Sequence, residues 1–260
     1  MMIIDQLCYT SKLRYVNATE KFSFAMMTLF ACILSRSILI AVVALLITGF
    51  LTVKKGKIAF SAYLRLMTVP VTFLLLGTLA IWINLSKTPL DAFALPIGSY
   101  YITGSHAGLL QGIQLILTAL ASVSCLYFLS LNTPVTDILE VLKQLHVPAL
   151  IIELMLLIYR YIFIMLNLAS DITTAQHARL GNCSIRHARK SFAIMLSRVF
   201  ILSIRRSNEL FDAMESRCYD GVIHVLPENH PAKPGEILMI IVFEILLYLV
   251  VIYKCIALYG

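Results

Sequence analysis

Three stretches of this chain, about residues 66–86, 107–130 and 237–258, each run for more than 20 residues with at most two charges. A helix needs about 20 apolar residues to cross the roughly 30 Å hydrocarbon core of a bilayer, where a chain must satisfy its own backbone hydrogen bonds. Two shorter apolar runs, 22–34 and 38–53, flank "SRS" and read as a hairpin of two thin or tilted spans, with one bent helix as the alternative. A composition that is 60% hydrophobic and only 13% charged lies outside the range of soluble domains. The expectation is an all-α polytopic membrane protein with about five transmembrane helices. The amino-terminal stretch "MMIIDQLCYTSKLRYVNATEKF" lacks the basic start, apolar core and small-residue cleavage site of a leader, which leaves the first span as the targeting signal.

Charge placement orients the spans. Lys12, Arg14 and Lys21 precede the first run, and Lys54, Lys55, Lys57 and Arg65 follow the second. The opposite loops hold only Arg36, then Lys87 balanced by Asp91. The positive-inside tendency puts the amino terminus, residues 54–65 and residues 131–236 in the cytoplasm of a cell whose inner membrane holds the protein. Asn17-Ala-Thr-Glu20 has capping-box spacing for a helix start near that interface. The organisation expected is a four-span region over 1–130, a cytoplasmic coupling-helix domain over 131–236 and a final span over 237–260. The net charge of +7 is explained by these retained loops and does not call for nucleic acid.

Residues 147–170 are long enough to span as well, but contain Glu153 and Arg160. Each ionised group near a helix centre costs about 2.5–3.5 kcal/mol on insertion scales. Crossing would also carry the nine Lys and Arg residues between 169 and 236 outside. At 100° per residue, Glu153, Arg160, Asn167 and Asp171 share one narrow stripe, which describes a long helix at the inner membrane face with a polar edge.

The block 131–236 is too long for a connector. Thr-Pro before Asp137 and then Pro148 mark two helix starts. A helix over 149–179 ends at "HARLGN", with Gly181 where a left-handed cap is expected, and "GNCSIRHARK" reads as a break. The next helix, about 191–218, is two-faced, with Leu196, Val199, Phe200, Ser203, Ser207, Leu210, Phe211 and Met214 opposite Arg198, Arg205, Glu209, Asp212 and Glu215. Gly221 follows its end. Both helices finish on an arginine beside a small residue, Ala178-Arg179 and Ser216-Arg217. A basic residue in a last turn gains about 0.3–1 kcal/mol from the helix dipole wherever it occurs. Two such ends in one insertion point further, to docking, because a permanently charged planar fork binds carboxylates or helix-terminal carbonyls.

The segment "TPVTDILEVLKQLHVPALIIELMLLIYRYIFIMLNLASDITTAQHARLG", with "AMESRCYDG" and "IDQLCYTSKLRYVNATEKF", resembles the transmembrane T component of energy-coupling factor (ECF) transporters, nearest to the cobalt or nickel subgroup CbiQ. The resemblance covers most of the chain and is strongest from 131 to 221. It implies a non-catalytic coupling subunit whose two arginine motifs insert into grooves of a pair of cytoplasmic ABC-type ATPase subunits. Ala178, Arg179 and Leu180, and Ser216, Arg217 and Cys218, occupy those motif positions. The family pattern puts a small residue on both sides of the arginine, and Leu180 and Cys218 depart from strict glycine there. The resemblance further implies ATP and Mg on the ATPases and the cobalt or nickel ion on a separate membrane substrate-binding subunit, so that this chain binds no cofactor itself. A T component serving a vitamin-type substrate, and a self-contained secondary carrier or channel, are the alternatives.

Other chemistry finds no support in the sequence. The six cysteines include no Cys-x-x-Cys pair, and no P-loop, H-E-x-x-H or G-x-S-x-G occurs. The histidines at 106, 146, 177, 187, 224 and 230 do not form a ligand set, and no metal site is assigned. Glu244 stands alone as an ionisable residue within the last span's apolar core.

Overall fold

The computed structural model describes all residues except 1–2, 36, 83, 87–92, 98–99, 105, 220, 222–233 and 260. Nine α-helices are found among the described residues: α1 Ile3–Thr10, α2 Ala18–Ser35, α3 Ile38–Phe50, α4 Phe60–Trp82, α5 His106–Asn132, α6 Val135–Gln144, α7 Ala149–Ala178, α8 Ile185–Glu215 and α9 Pro234–Tyr259. The chain divides into two compact units, Met2–Ile138 with Glu228–Gly260, and Leu139–Pro227.

In the first unit α5 is the central helix, packed against α1 to α4, and α9 lies on α2. Its inner face is small: Ala31, Cys32, Ala41, Ala44 and Ala121 are buried together with Ile40 and Leu247. Small residues let helix backbones approach closely, which replaces the hydrophobic drive that lipid cannot supply. One layer away, the Phe24 ring meets Phe128 edge-on, with centroids 5.4 Å apart. Polar side chains bridge helices within this bundle. Thr48 and Ser124 hydroxyls stand 2.6 Å apart, Tyr63 adds a 2.8 Å contact to Ser124, and the Thr28 hydroxyl is 2.7 Å from Glu244 Oε1.

The 22–53 stretch forms two helices rather than one bent one. α2 ends at Ser35, and α3 begins after Ser37, whose backbone is extended at φ −111 and ψ 128. Asn17 caps α2 by accepting from the Thr19 amide at 2.8 Å. Only half of the expected box forms, since neither Glu20 carboxyl oxygen has a hydrogen-bond partner among the described residues.

Three segments that charge counting puts on one side converge at one end of the bundle. Ser11 Oγ donates to Asn132 Oδ1 at 2.7 Å, Lys21 Nζ donates to the carbonyls of Leu13 at 2.9 Å and Asn132 at 3.0 Å, and the Lys12 amide reaches the Gly56 carbonyl at 3.3 Å. Gly56 is required there, because a Cβ would stand 2.5 Å from Asn132 Oδ1. The end of α5, from which the chain continues into α6, is therefore fixed by the amino-terminal arm.

One departure from the purely helical expectation lies between α4 and α5. Strands β1 Asn84–Ser86, β2 Phe93–Ile97 and β3 Tyr100–Gly104 form a small antiparallel sheet in the order β1-β3-β2, with Leu85 and Leu95 both paired to Ile102. Tyr100, Tyr101, Ile102 and Thr103 are strand-favouring residues in a segment read only as a loop.

By length and composition, six helical stretches among the described residues can cross a membrane: Ala18–Ser35, Ile38–Lys55, Phe60–Leu79, Gly108–Asn132, Ala149–Ala178 and Pro234–Lys254. The one beyond the expected five is α7.

Candidate functional site

The second unit is dominated by the long helices α7 and α8. The sequence break anticipated over 181–190 is shorter than expected. Helix α8 already starts at Ile185 after the extended Ser184, and Arg186 to Lys190 lie within it. Gln176 Nε2 donates to the Ser191 carbonyl at 2.8 Å, and Ser191 Oγ donates to the Gly181 carbonyl at 2.9 Å, which braces the turn between the two helices. An open cleft of about 560 Å³ lies beside this turn, lined by Thr173, Gln176, Ile185, Arg189 and Phe192 among others.

Both arginine-bearing ends close in the same way. At the end of α7 the Gly181 amide donates to the Gln176 carbonyl at 2.9 Å and the Leu180 amide to His177 at 3.0 Å. After α8, Tyr219 donates to Met214 at 3.1 Å and Cys218 to Glu215 at 3.0 Å. These paired bonds define the Schellman turn. Its left-handed residue is Leu180 at φ 56 in one case and Cys218 at φ 58 in the other. The cap thus falls one residue before Gly181, whose backbone is not left-handed. Gly181 is a glycine because a Cβ would meet Ser191 Oγ at 2.8 Å and the Gln176 carbonyl at 2.9 Å. At the second end Gly221 does hold a positive φ of 95, but it lies beyond the turn that Cys218 makes.

The same turn ends α6, where Val147 donates to Leu142 at 3.2 Å, His146 to Lys143 at 3.1 Å, and His146 holds φ 61. There the residue before the left-handed position is Leu145. The turn is thus a general folding device of this unit, and what distinguishes its other two uses is the exposed arginine they display. Arg179 and Arg217, with Ala178, Leu180, Ser216 and Cys218 around them, are all exposed. Neither arginine forms an ion pair among the described residues, whereas Arg205 and Arg206 both pair with Glu209.

The polar stripe of α7 is split by the structure. Arg160, Asn167 and Asp171 are exposed, whereas Glu153 is buried and accepts a 2.8 Å hydrogen bond from the Tyr219 hydroxyl. Helical periodicity places Glu153 with the other three, but cannot reveal a partner 66 residues later. That contact also sets the layout of the site. The Arg217 turn is tied to the first turns of α7, and Arg179 lies roughly 40 Å farther along the same helix at 1.5 Å per residue.

Among the described residues no group of three or more His, Cys, Asp or Glu side chains is placed to hold a metal ion. His224 and His230 lie outside the described residues. Cys8, Cys32 and Cys125 are buried free thiols, and Cys183 and Cys218 exposed ones.

A bundle of apolar helices joined by buried hydroxyl and carboxyl contacts, together with a helical hairpin that displays two exposed arginines, defines a multi-pass membrane protein. Residues 10–228 match the CbiQ family, described as "Cobalt transport protein", and the chain belongs to that family. It is a membrane component of ECF-type transport.

Three relatives illustrate the range of similarity. A putative fused cobalt transport protein CbiMQ of Methanocorpusculum labreanum is 30% identical over 95% of this chain, which spans 41% of the fused protein's length. The cobalt transport protein CbiQ of Salmonella typhimurium is 27% identical over 85% of this chain and 99% of its own. An energy-coupling factor transporter transmembrane protein EcfT of Acidaminococcus fermentans is 31% identical over 60% of this chain and 64% of its own.

Proposed function

We propose that this chain is the coupling subunit of an ATP-driven importer of cobalt or nickel, and that it performs no catalysis itself. Arg179 and Arg217 dock on two cytoplasmic ATPase subunits, one arginine to each. The observation that carries this reading is the pair of matching, exposed helix ends held roughly 40 Å apart along α7. That separation suits two binding sites on two bodies better than one shared site. Each guanidinium is presented beyond the last helical turn, where it can fork onto carboxylates or carbonyls of a partner.

ATP and Mg belong to the ATPases, and the metal ion is cargo held by a separate membrane subunit. The names of the cobalt-transport relatives favour cobalt as that cargo. The amino terminus and the end of the bundle fixed by Lys21 and Asn132 face the cytoplasm, as the lysines and arginines there favour. Helix α7 lies at the inner membrane face, and the uncovered apolar side of α8, including Leu196, Phe200 and Phe211, packs on partner surface when the complex assembles.

Replacing both arginines with alanine tests the assignment. The expected result is loss of metal uptake and of copurification with the ATPases, with membrane insertion unchanged. Wild-type uptake by the R179A/R217A chain, or metal uptake by the purified chain alone in liposomes, overturns it.

A further inference from the structure

Among the described residues of α7 and α8, Glu153 is the only one that is buried. It is 7% exposed on a helix whose apolar residues Leu150, Leu154 and Ile158 are left open. Burying a carboxyl group is costly without a hydrogen-bond partner, so the contact that satisfies it matters for the geometry of the unit. That partner is Tyr219, whose hydroxyl donates to Glu153 Oε2 at 2.8 Å.

Tyr219 serves two roles. Its backbone amide closes the outer ring of the Arg217 turn onto the Met214 carbonyl at 3.1 Å, and its side chain fastens that turn to α7. Beyond the packing of α8 on α7, this hydroxyl–carboxyl contact ties the Arg217 end to α7, and through α7 to Arg179.

We propose that Tyr219 is a positioning residue for Arg217, and that its hydroxyl on Glu153 fixes the separation of the two arginine ends so that both engage their partners together. The proposal rests on the docking reading above. Its physical basis is bivalency: once one end is bound, the second binds at an effective concentration set by geometry, and this can raise avidity by about 10²–10⁴ over a single contact. A loose Arg217 end forfeits part of that gain without losing its own contact chemistry.

The test uses the full-length chain in lipid nanodiscs. Cys183 and Cys218 are exposed beside the two turns and accept spin labels directly, with the other four cysteines replaced. Tyr219→Phe removes only the hydroxyl and should broaden the distance distribution between the labels. Glu153→Gln, made alone, keeps an acceptor oxygen and should retain a narrow one, whereas Glu153→Ala should broaden it like Tyr219→Phe. With unlabelled chain, Tyr219→Phe should weaken assembly with the ATPases about tenfold or more, and should add nothing on an Arg217→Ala background, because the hydroxyl acts through that arginine.

A wild-type distance distribution in Tyr219→Phe, or full additivity with Arg217→Ala, overturns the proposal. The distance measurement needs no partner, so it reads the contact even if Arg217→Ala binds ATPases normally, a result that would instead count against the docking reading.

Discussion

Leu180 and Cys218 hold nearly the same left-handed backbone, φ 56 and φ 58, each immediately after an exposed arginine. Neither is the glycine that such a position favours, and each carries a steric cost of about 1–2 kcal/mol. The turn geometry around Arg179 and Arg217 is therefore imposed by paired hydrogen bonds against local preference.

Glycine at these positions should relax the turns. Leu180→Gly and Cys218→Gly are each expected to stabilise the local helix end by about 0.5–1 kcal/mol, the relief being partly offset by the added freedom of the unfolded chain. Hydrogen exchange at the Leu180 and Gly181 amides should slow several-fold in the first variant. Gly181→Ala should act the other way, since the new methyl would press on the Gln176 carbonyl and Ser191 Oγ. Faster exchange in Leu180→Gly would contradict the strain argument.

Lys21 is 3% exposed, and its ammonium closes onto the carbonyls of Leu13 and Asn132. Lys21→Met leaves those buried carbonyls without their charged donor and should cost about 1–3 kcal/mol. Thermal unfolding of the detergent-solubilised protein measures this as a lowered midpoint. Met at 21 with an unchanged midpoint would mean that the lysine does not secure the end of α5.

The cysteines should divide by reactivity. Burial pushes the Cys8 thiol up to about 11 from its ordinary 9.0, although the Lys21 ammonium pulls it down. Because the folded value is raised, the stabilising preference for the neutral thiol is complete below pH 9 and is lost as pH rises through 11. At pH 7.5 a maleimide is expected to label Cys183 and Cys218 within minutes and to spare Cys8 until the protein is denatured. Binding of the proposed ATPases should slow labelling at Cys218.

Within the bundle, Thr28 and Glu244 link α2 to α9 at 2.7 Å. Polar contacts between membrane helices contribute about 0.6 kcal/mol on average and up to about 1.7 in double-mutant cycles. A cycle built from Thr28→Val and Glu244→Leu should give a coupling energy in that range by steric-trap or denaturant unfolding. A coupling near zero would make the pair incidental to packing.

Much of this architecture was legible because bilayer physics writes it in a run of apolar residues. The extents of α5 and α9 and the start of α7 after Pro148 follow closely from hydropathy and proline. The two arginine ends could be found by the repeat of a basic residue beside a small one. Their caps were misplaced because glycine's preference for left-handed backbone is a local tendency, and here the hydrogen-bond rings put that backbone on Leu180 and Cys218 instead. Glu153 was read as part of an outward stripe because helical periodicity counts angles on one helix and carries no information about a second.

The sequence by itself determined that the chain spans a membrane, where its basic loops gather and roughly where its two long helices end, since each depends on neighbours within a few turns. Only the tertiary structure decided that Tyr219 meets Glu153, that Lys21 closes the end of α5 and that Arg179 and Arg217 stand far apart on one hairpin. Those relations join residues tens to more than a hundred positions apart, and their partners are selected by packing and by the need to satisfy buried polar groups, which no local pattern encodes.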